Sequence, residues 1–180
     1  KKFVKIMYIF NKTGKINICL VGLMGSGKTV VAKELGRALN FNFFDTDKEI
    51  ENKVGKSINQ IFEDNGEEYF RKIEEQICLK YLKKNKSVIS LGGGSISNSK
   101  VRDAIKTYSF SIYLKVDINI LEKRLGNSYK RPLLKNVDKL NTLKNLYKSR
   151  KKFYNKSDLL IENNYDKFEV INKIRLSIKA

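Results

Sequence analysis

From Lys15 onward the chain alternates short apolar runs with amphipathic stretches, the pattern of a parallel α/β sheet. The pattern predicts strands over Ile16–Val21, Phe41–Phe44, Ser87–Leu91, Ser109–Lys115 and Asp158–Ile161. Helices are predicted over Lys28–Leu39, Asp47–Lys53, Ser57–Asn65, Glu67–Lys84, Asn98–Lys106, Asp117–Leu125, Asp138–Lys156 and Asp166–Ile178. Between the sixth and seventh of these, Gly126–Lys130 is polar except for Tyr129. The single proline, Pro132, stands where a helix cannot run through it. No repeat and no Pro- or Ser-rich linker divides the chain, so residues 16–180 read as one domain. Residues 1–15 form a basic extension with neither a methionine start nor the apolar core of a secretory signal. Three readings of it stay open: part of a cleaved targeting segment, a remnant of a longer chain, or an extra edge strand over Phe3–Phe10.

The segment between the first strand and the first helix carries chemistry. Gly22-Leu23-Met24-Gly25-Ser26-Gly27-Lys28-Thr29 satisfies G-x-x-x-x-G-K-[ST] without a mismatch. Glycines let the backbone curl so that successive N–H groups face phosphate oxygens, and the following helix adds its positive dipole end. Gly25, Ser26, Gly27, Lys28, Thr29 and Val30 are therefore candidate nucleotide contacts. Lys28 would reach the β- and γ-phosphates, and Thr29 would offer a hydroxyl to Mg²⁺. A GTPase would usually show N-K-x-D late in the chain. Asn141-Thr142-Leu143-Lys144 is no such match, and Asn136-Val137-Asp138 lacks the lysine.

Composition removes several alternatives. The chain of 180 residues has no histidine, which excludes Ser-His and Cys-His triads and histidine metal sites. Cys19 and Cys78 lie too far apart for a metal or redox motif and read as small core residues in a reducing compartment. No apolar run approaches the ~20 residues of a membrane span. The net charge of +18 invites a nucleic-acid reading. The 30 lysines are spread along the whole chain, however, and no aromatic-basic recognition signature accompanies them. Against those lysines, the 7 arginines are the more informative cations, because a planar fork grips a carboxylate or phosphate bidentately.

Beyond the predicted strand ends lie Asp45-Thr46-Asp47 and Gly92-Gly93-Gly94, where open α/β sheets bind ligands. Phe70-Arg71, Ser90-Leu91-Gly92-Gly93-Gly94, Arg131-Pro132-Leu133-Leu134 and Arg150 complete an ordered set. With this set, from Ile16 to about Ser157, the chain resembles shikimate kinases. The resemblance implies a five-stranded parallel sheet in the order 2-3-1-4-5, helices on both faces and a mobile lid over about Gly126–Val137. It implies transfer of the ATP γ-phosphoryl to the 3-hydroxyl of shikimate, in a cytoplasmic monomer. Asp47 would orient the hydroxyl or accept its proton, while Arg71 and Arg150 clamp the substrate carboxylate. Gly92, Gly93 and Gly94 would let the backbone approach the ring. Arg131 would neutralise charge on the phosphates, and Arg124 would pack on adenine. Asp45 would touch Mg²⁺ through water. The segment around Glu162–Asp166 departs from the family by lacking an arginine. The alternatives are a kinase of another hydroxy acid such as gluconate, a shikimate-binding protein without catalysis and, from a different class, a nucleic-acid binder.

Overall fold

The computed structural model describes residues 4–126, 132–134, 137–164 and 167–179. Five parallel strands form one sheet: β1 (Asn17–Val21), β2 (Asn42–Asp45), β3 (Ser87–Ser90), β4 (Ser109–Lys115) and β5 (Leu159–Glu162). Their spatial order is β2-β3-β1-β4-β5, as the resemblance implies. In register, Leu20 pairs with Ser90, Asp45 with Ser90 and Val21 with Tyr113. These pairs bring the carboxyl ends of the four central and left-hand strands to one rim.

Side chains on the two faces of the sheet feed two cores. Cys19, Val21, Ile89 and Tyr113 bury against α3 (Thr46–Val54), α4 (Ile58–Leu82), α5 (Ser99–Tyr108), α6 (Ile118–Leu125) and α7 (Lys139–Tyr154). Ile18, Leu20, Val88, Ile112 and Leu114 bury against α2 (Lys28–Leu39) and α8 (Lys167–Lys179). Both cysteines are fully enclosed, and burial pushes each thiol up to about 12, so neither is a reactive thiolate.

The helix starts follow from local sequence. Asp45, Asn98, Asp117 and Asp138 each place a side-chain oxygen on a backbone N–H of the first turn. Ser57 and Gln60 form a reciprocal capping box at α4. The α2 helix ends at Asn40 in the left-handed conformation.

The two helical stretches expected over Ser57–Asn65 and Glu67–Lys84 meet at Gly66, whose φ of 79° and ψ of 173° break the helical conformation inside α4. One expectation changes. Within residues 1–15, Val4–Thr13 is a helix, α1, and not an edge strand. Phe10 explains the preference: it is buried in the second core and stacks on Phe41 with ring centroids 6.2 Å apart. Arg131 and most of the expected lid lie outside the described residues, which include only Gly126, Pro132–Leu134 and Val137 of it.

Candidate active site

The loop from Gly22 to Gly27 wraps the N-terminus of α2. Lys28 is buried and folds back across the loop, donating from Nζ to the carbonyls of Gly22 (2.9 Å) and Leu23 (2.8 Å). Gly22, Gly25 and Gly27 all have positive φ, which curls the backbone around the space in front of the helix. Val30, in the first turn of α2, is exposed.

Thr29 Oγ1 donates to Asp45 Oδ2 at 2.5 Å and lies 3.4 Å from Ser90 Oγ. Asp45 has a second duty: its Oδ1 accepts from the backbone N–H of Asp47 (3.0 Å) and Lys48 (3.4 Å) and so caps α3. The capping role in the Asp-Thr-Asp run thus belongs to Asp45, which leaves Asp47 on the second residue of the helix. Thr46, between them, is buried. Its hydroxyl accepts from the Gly92 N–H at 2.9 Å and ties the start of α3 to the glycine run.

Asp47, Arg71, Gly93, Gly94 and Arg150 line one cavity together with Met24, Phe62 and Leu133. A second, open cleft of about 760 Å³ adjoins it through Asp47 and Ile58, and is lined by Gly25, Thr29, Asp45 and Arg124. Of the candidate side chains, Thr29, Asp45, Asp47, Arg71, Arg124 and Arg150 line one or other of these adjoining cavities, whereas Ser26, Lys28 and Val30 line neither. Gly92 explains the tight fit on its side, because a Cβ there would lie 2.7 Å from Asp47 Oδ1 and 2.9 Å from Glu74 Oε1. A Cβ on Gly94 would fall on the Arg71 guanidinium.

Three functional neighbours carry no motif and were not read from the sequence. Glu74 is buried; it accepts from Arg71 Nη1 at 2.7 Å and from Ser95 Oγ at 2.9 Å. Its burial raises its pKa, against the pull of Arg71. Glu67 takes the other side of the fork, accepting from Arg71 Nε (3.1 Å) and Nη2 (2.8 Å). Three of the five donors of Arg71 are thus held by carboxylates of its own helix. The spacings of four and three residues from Arg71 are the signal that could have found both. Tyr154 is the third: its hydroxyl donates to the Gly93 carbonyl (2.9 Å), which Arg150 Nη1 also reaches at 3.0 Å.

The donor set at Thr29, Asp45 and Ser90 consists of hard oxygens without a closed cage. That suits Mg²⁺, which keeps several waters and binds through one or two protein groups plus phosphate. The threonine hydroxyl donates its hydrogen bond to Asp45 and so keeps its oxygen lone pairs for a cation.

A P-loop on a five-stranded parallel sheet, opening on a cleft that holds a carboxylate and two arginines, defines a P-loop kinase. Residues 24–179 match the family model described as shikimate kinase. The shikimate kinase of Aquifex aeolicus is 37% identical over 92% of this chain and 97% of its own. That of Rippkaea orientalis is 44% identical over 81% of this chain and 78% of its own. The structure of shikimate kinase from Acinetobacter baumannii in complex with shikimate superposes with a TM-score of 0.89 at 32% identity, covering 96% of both chains. The chain belongs to the shikimate kinase family.

Proposed function

We propose that this chain transfers the γ-phosphoryl of ATP to the 3-hydroxyl of shikimate, giving shikimate 3-phosphate and ADP. The observation that carries this reading is the junction of the two cavities at Asp47. The nucleotide side ends there, and the arginine-lined side begins. A ring hydroxyl held beside Asp47 faces the end of the P-loop, the arrangement an in-line transfer requires. Asp47 orients that hydroxyl and accepts its proton, while Arg71 and Arg150 hold the carboxylate at the far end of the ring. Lys28 and the loop amides stabilise charge on the transferring group. Mg²⁺ held near Thr29 and, through water, Asp45 would neutralise β- and γ-phosphate charge. Arg124, at the end of α6, faces the nucleotide cleft in a position to pack on the base. The working unit in this reading is a monomer. No helix among the described residues is long and apolar enough to cross a membrane. Together with two buried free thiols this supports the cytoplasm as the site of action.

A coupled ADP-release assay across a panel of hydroxy acids tests the assignment. Shikimate is expected to stimulate ADP release well above the background hydrolysis, and gluconate is not. Equal stimulation by gluconate would overturn the choice of acceptor and leave the P-loop kinase reading intact.

Arg71→Lys separates the acceptor side from the nucleotide side. Lysine keeps the charge but cannot serve Glu67, Glu74 and a substrate carboxylate from one rigid fork. Shikimate affinity is expected to fall by about 5- to 150-fold, the equivalent of roughly 1–3 kcal/mol for one charged hydrogen bond. ATP affinity should stay within about twofold, since ATP binding does not depend on that bond. Titration calorimetry with each ligand reads both. A variant that lost ATP and kept shikimate would show that Arg71 lies on the other substrate.

A further inference from the structure

Asn163 follows β5 directly, has no motif of its own, and is 4% exposed. Three hydrogen bonds fix the short segment it belongs to. Its Nδ2 donates to the Ser26 carbonyl at 2.7 Å, its backbone N–H donates to Lys115 O at 2.8 Å, and the next residue, Asn164, accepts from the Asp117 N–H at 3.0 Å. The segment after β5 is thus pinned to the end of β4 and the start of α6, and from that anchorage Asn163 reaches into the phosphate loop. The fit is close on the loop side as well. A Cβ on Gly27 would lie 2.8 Å from Asn163 Nδ2, so Gly27 is required there by its neighbour in addition to its φ of +85°.

We propose that Asn163 is a positioning residue for phosphate binding, and that it acts by fixing the orientation of the Ser26–Gly27 peptide. This rests on the nucleotide reading of the loop given above. The Ser26 carbonyl and the Gly27 N–H belong to one planar trans peptide, so they point in opposite directions. Holding the carbonyl outward, toward β5, turns the Gly27 N–H inward, toward the space in front of α2 where phosphate oxygens bind. A glycine-flanked peptide would otherwise rotate at little cost, and each rotation would present a carbonyl, not a donor, to the phosphate. Asn163 removes that freedom before the nucleotide arrives. It does so from a strand end that contributes nothing to the acceptor cavity, so its effect falls on one substrate.

The test compares Asn163→Ala, which deletes the donor, with Asn163→Asp, which sets a carboxylate against the Ser26 carbonyl. ADP binding by calorimetry is measured beside KM for each substrate and the melting temperature. For Asn163→Ala we expect ADP affinity to fall and KM for ATP to rise by about tenfold, with KM for shikimate and kcat within about twofold. Asn163→Asp should weaken ADP by about 100-fold, because it replaces attraction with repulsion beside an anion. If that variant does not fold, Asn163→Ser, whose hydroxyl falls short of the carbonyl, takes its place with the expectation given for alanine. A lowered melting temperature with ADP affinity and KM for ATP unchanged would overturn the proposal, as would equal rises in both KM values. Failure of the parent protein itself to bind ADP would overturn the underlying nucleotide reading instead.

Discussion

Lys28→Met is expected to fold like the parent and to lose phosphoryl transfer by about 10³-fold or more, the scale of a preorganised charge at a reacting phosphoryl group. Lys28 is the residue whose ammonium is already placed inside the phosphate loop, held by the Gly22 and Leu23 carbonyls at 2.9 and 2.8 Å. A side chain held in this way loses little freedom when the γ-phosphate arrives, so its charge acts without reorganisation. Methionine preserves the length and apolar stem but supplies neither charge nor donor. The two carbonyls lose a partner, and the stability cost is about 1–3 kcal/mol. For a domain of this size that lowers Tm by roughly 2–12 °C and does not unfold it. Circular dichroism melting and single-turnover transfer measure the two effects separately. Turnover near that of the parent would show that the chemistry takes place away from this loop.

Asp47→Asn should lower kcat by about 10²-fold or more, the loss expected when a positioned proton acceptor is removed. The substitution is conservative in shape and leaves the α3 cap untouched, because Asp45 provides it. Asparagine still offers an oxygen to the substrate hydroxyl, so KM for shikimate should move by only a few-fold, the scale of one neutral hydrogen bond. Steady-state rates with shikimate varied give both quantities. A variant with kcat within threefold of the parent would reduce Asp47 to an orienting role.

Much of this fold could be read locally. The α2 helix and β4 fall at the positions expected from sequence, since each is bounded by residues with one structural meaning: the glycine turn before α2, Asn40 after it, and polar ends around β4. The order of the strands could not be read from propensity and came from the resemblance alone. Gly66 was legible as a break, because glycine readily adopts dihedrals through which a helix does not continue. Ile61 before the break and Phe70, Ile73 and Ile77 after it pack into one core. In residues 3–10 partial alternation suggested a strand. The deciding contact, Phe10 on Phe41, joins residues 31 apart and leaves no local trace. The candidate site shows the same division. Residues in the glycine, aspartate and arginine motifs were legible, whereas Tyr154 and Asn163 act through partners brought near only by folding.

Asp45 gives one carboxylate to two tasks, with Oδ2 on Thr29 and Oδ1 on the first turn of α3. A cation that drew on Thr29 or Asp45 would pull on the same group that caps α3, the helix that carries Asp47. Occupancy on one side would then be felt on the other as a change in free energy. Such a change must be mutual: if nucleotide tightens shikimate by some factor, shikimate tightens nucleotide by that factor. The two ligands would then bind with synergy that originates in a single side chain, with no domain movement needed to transmit it.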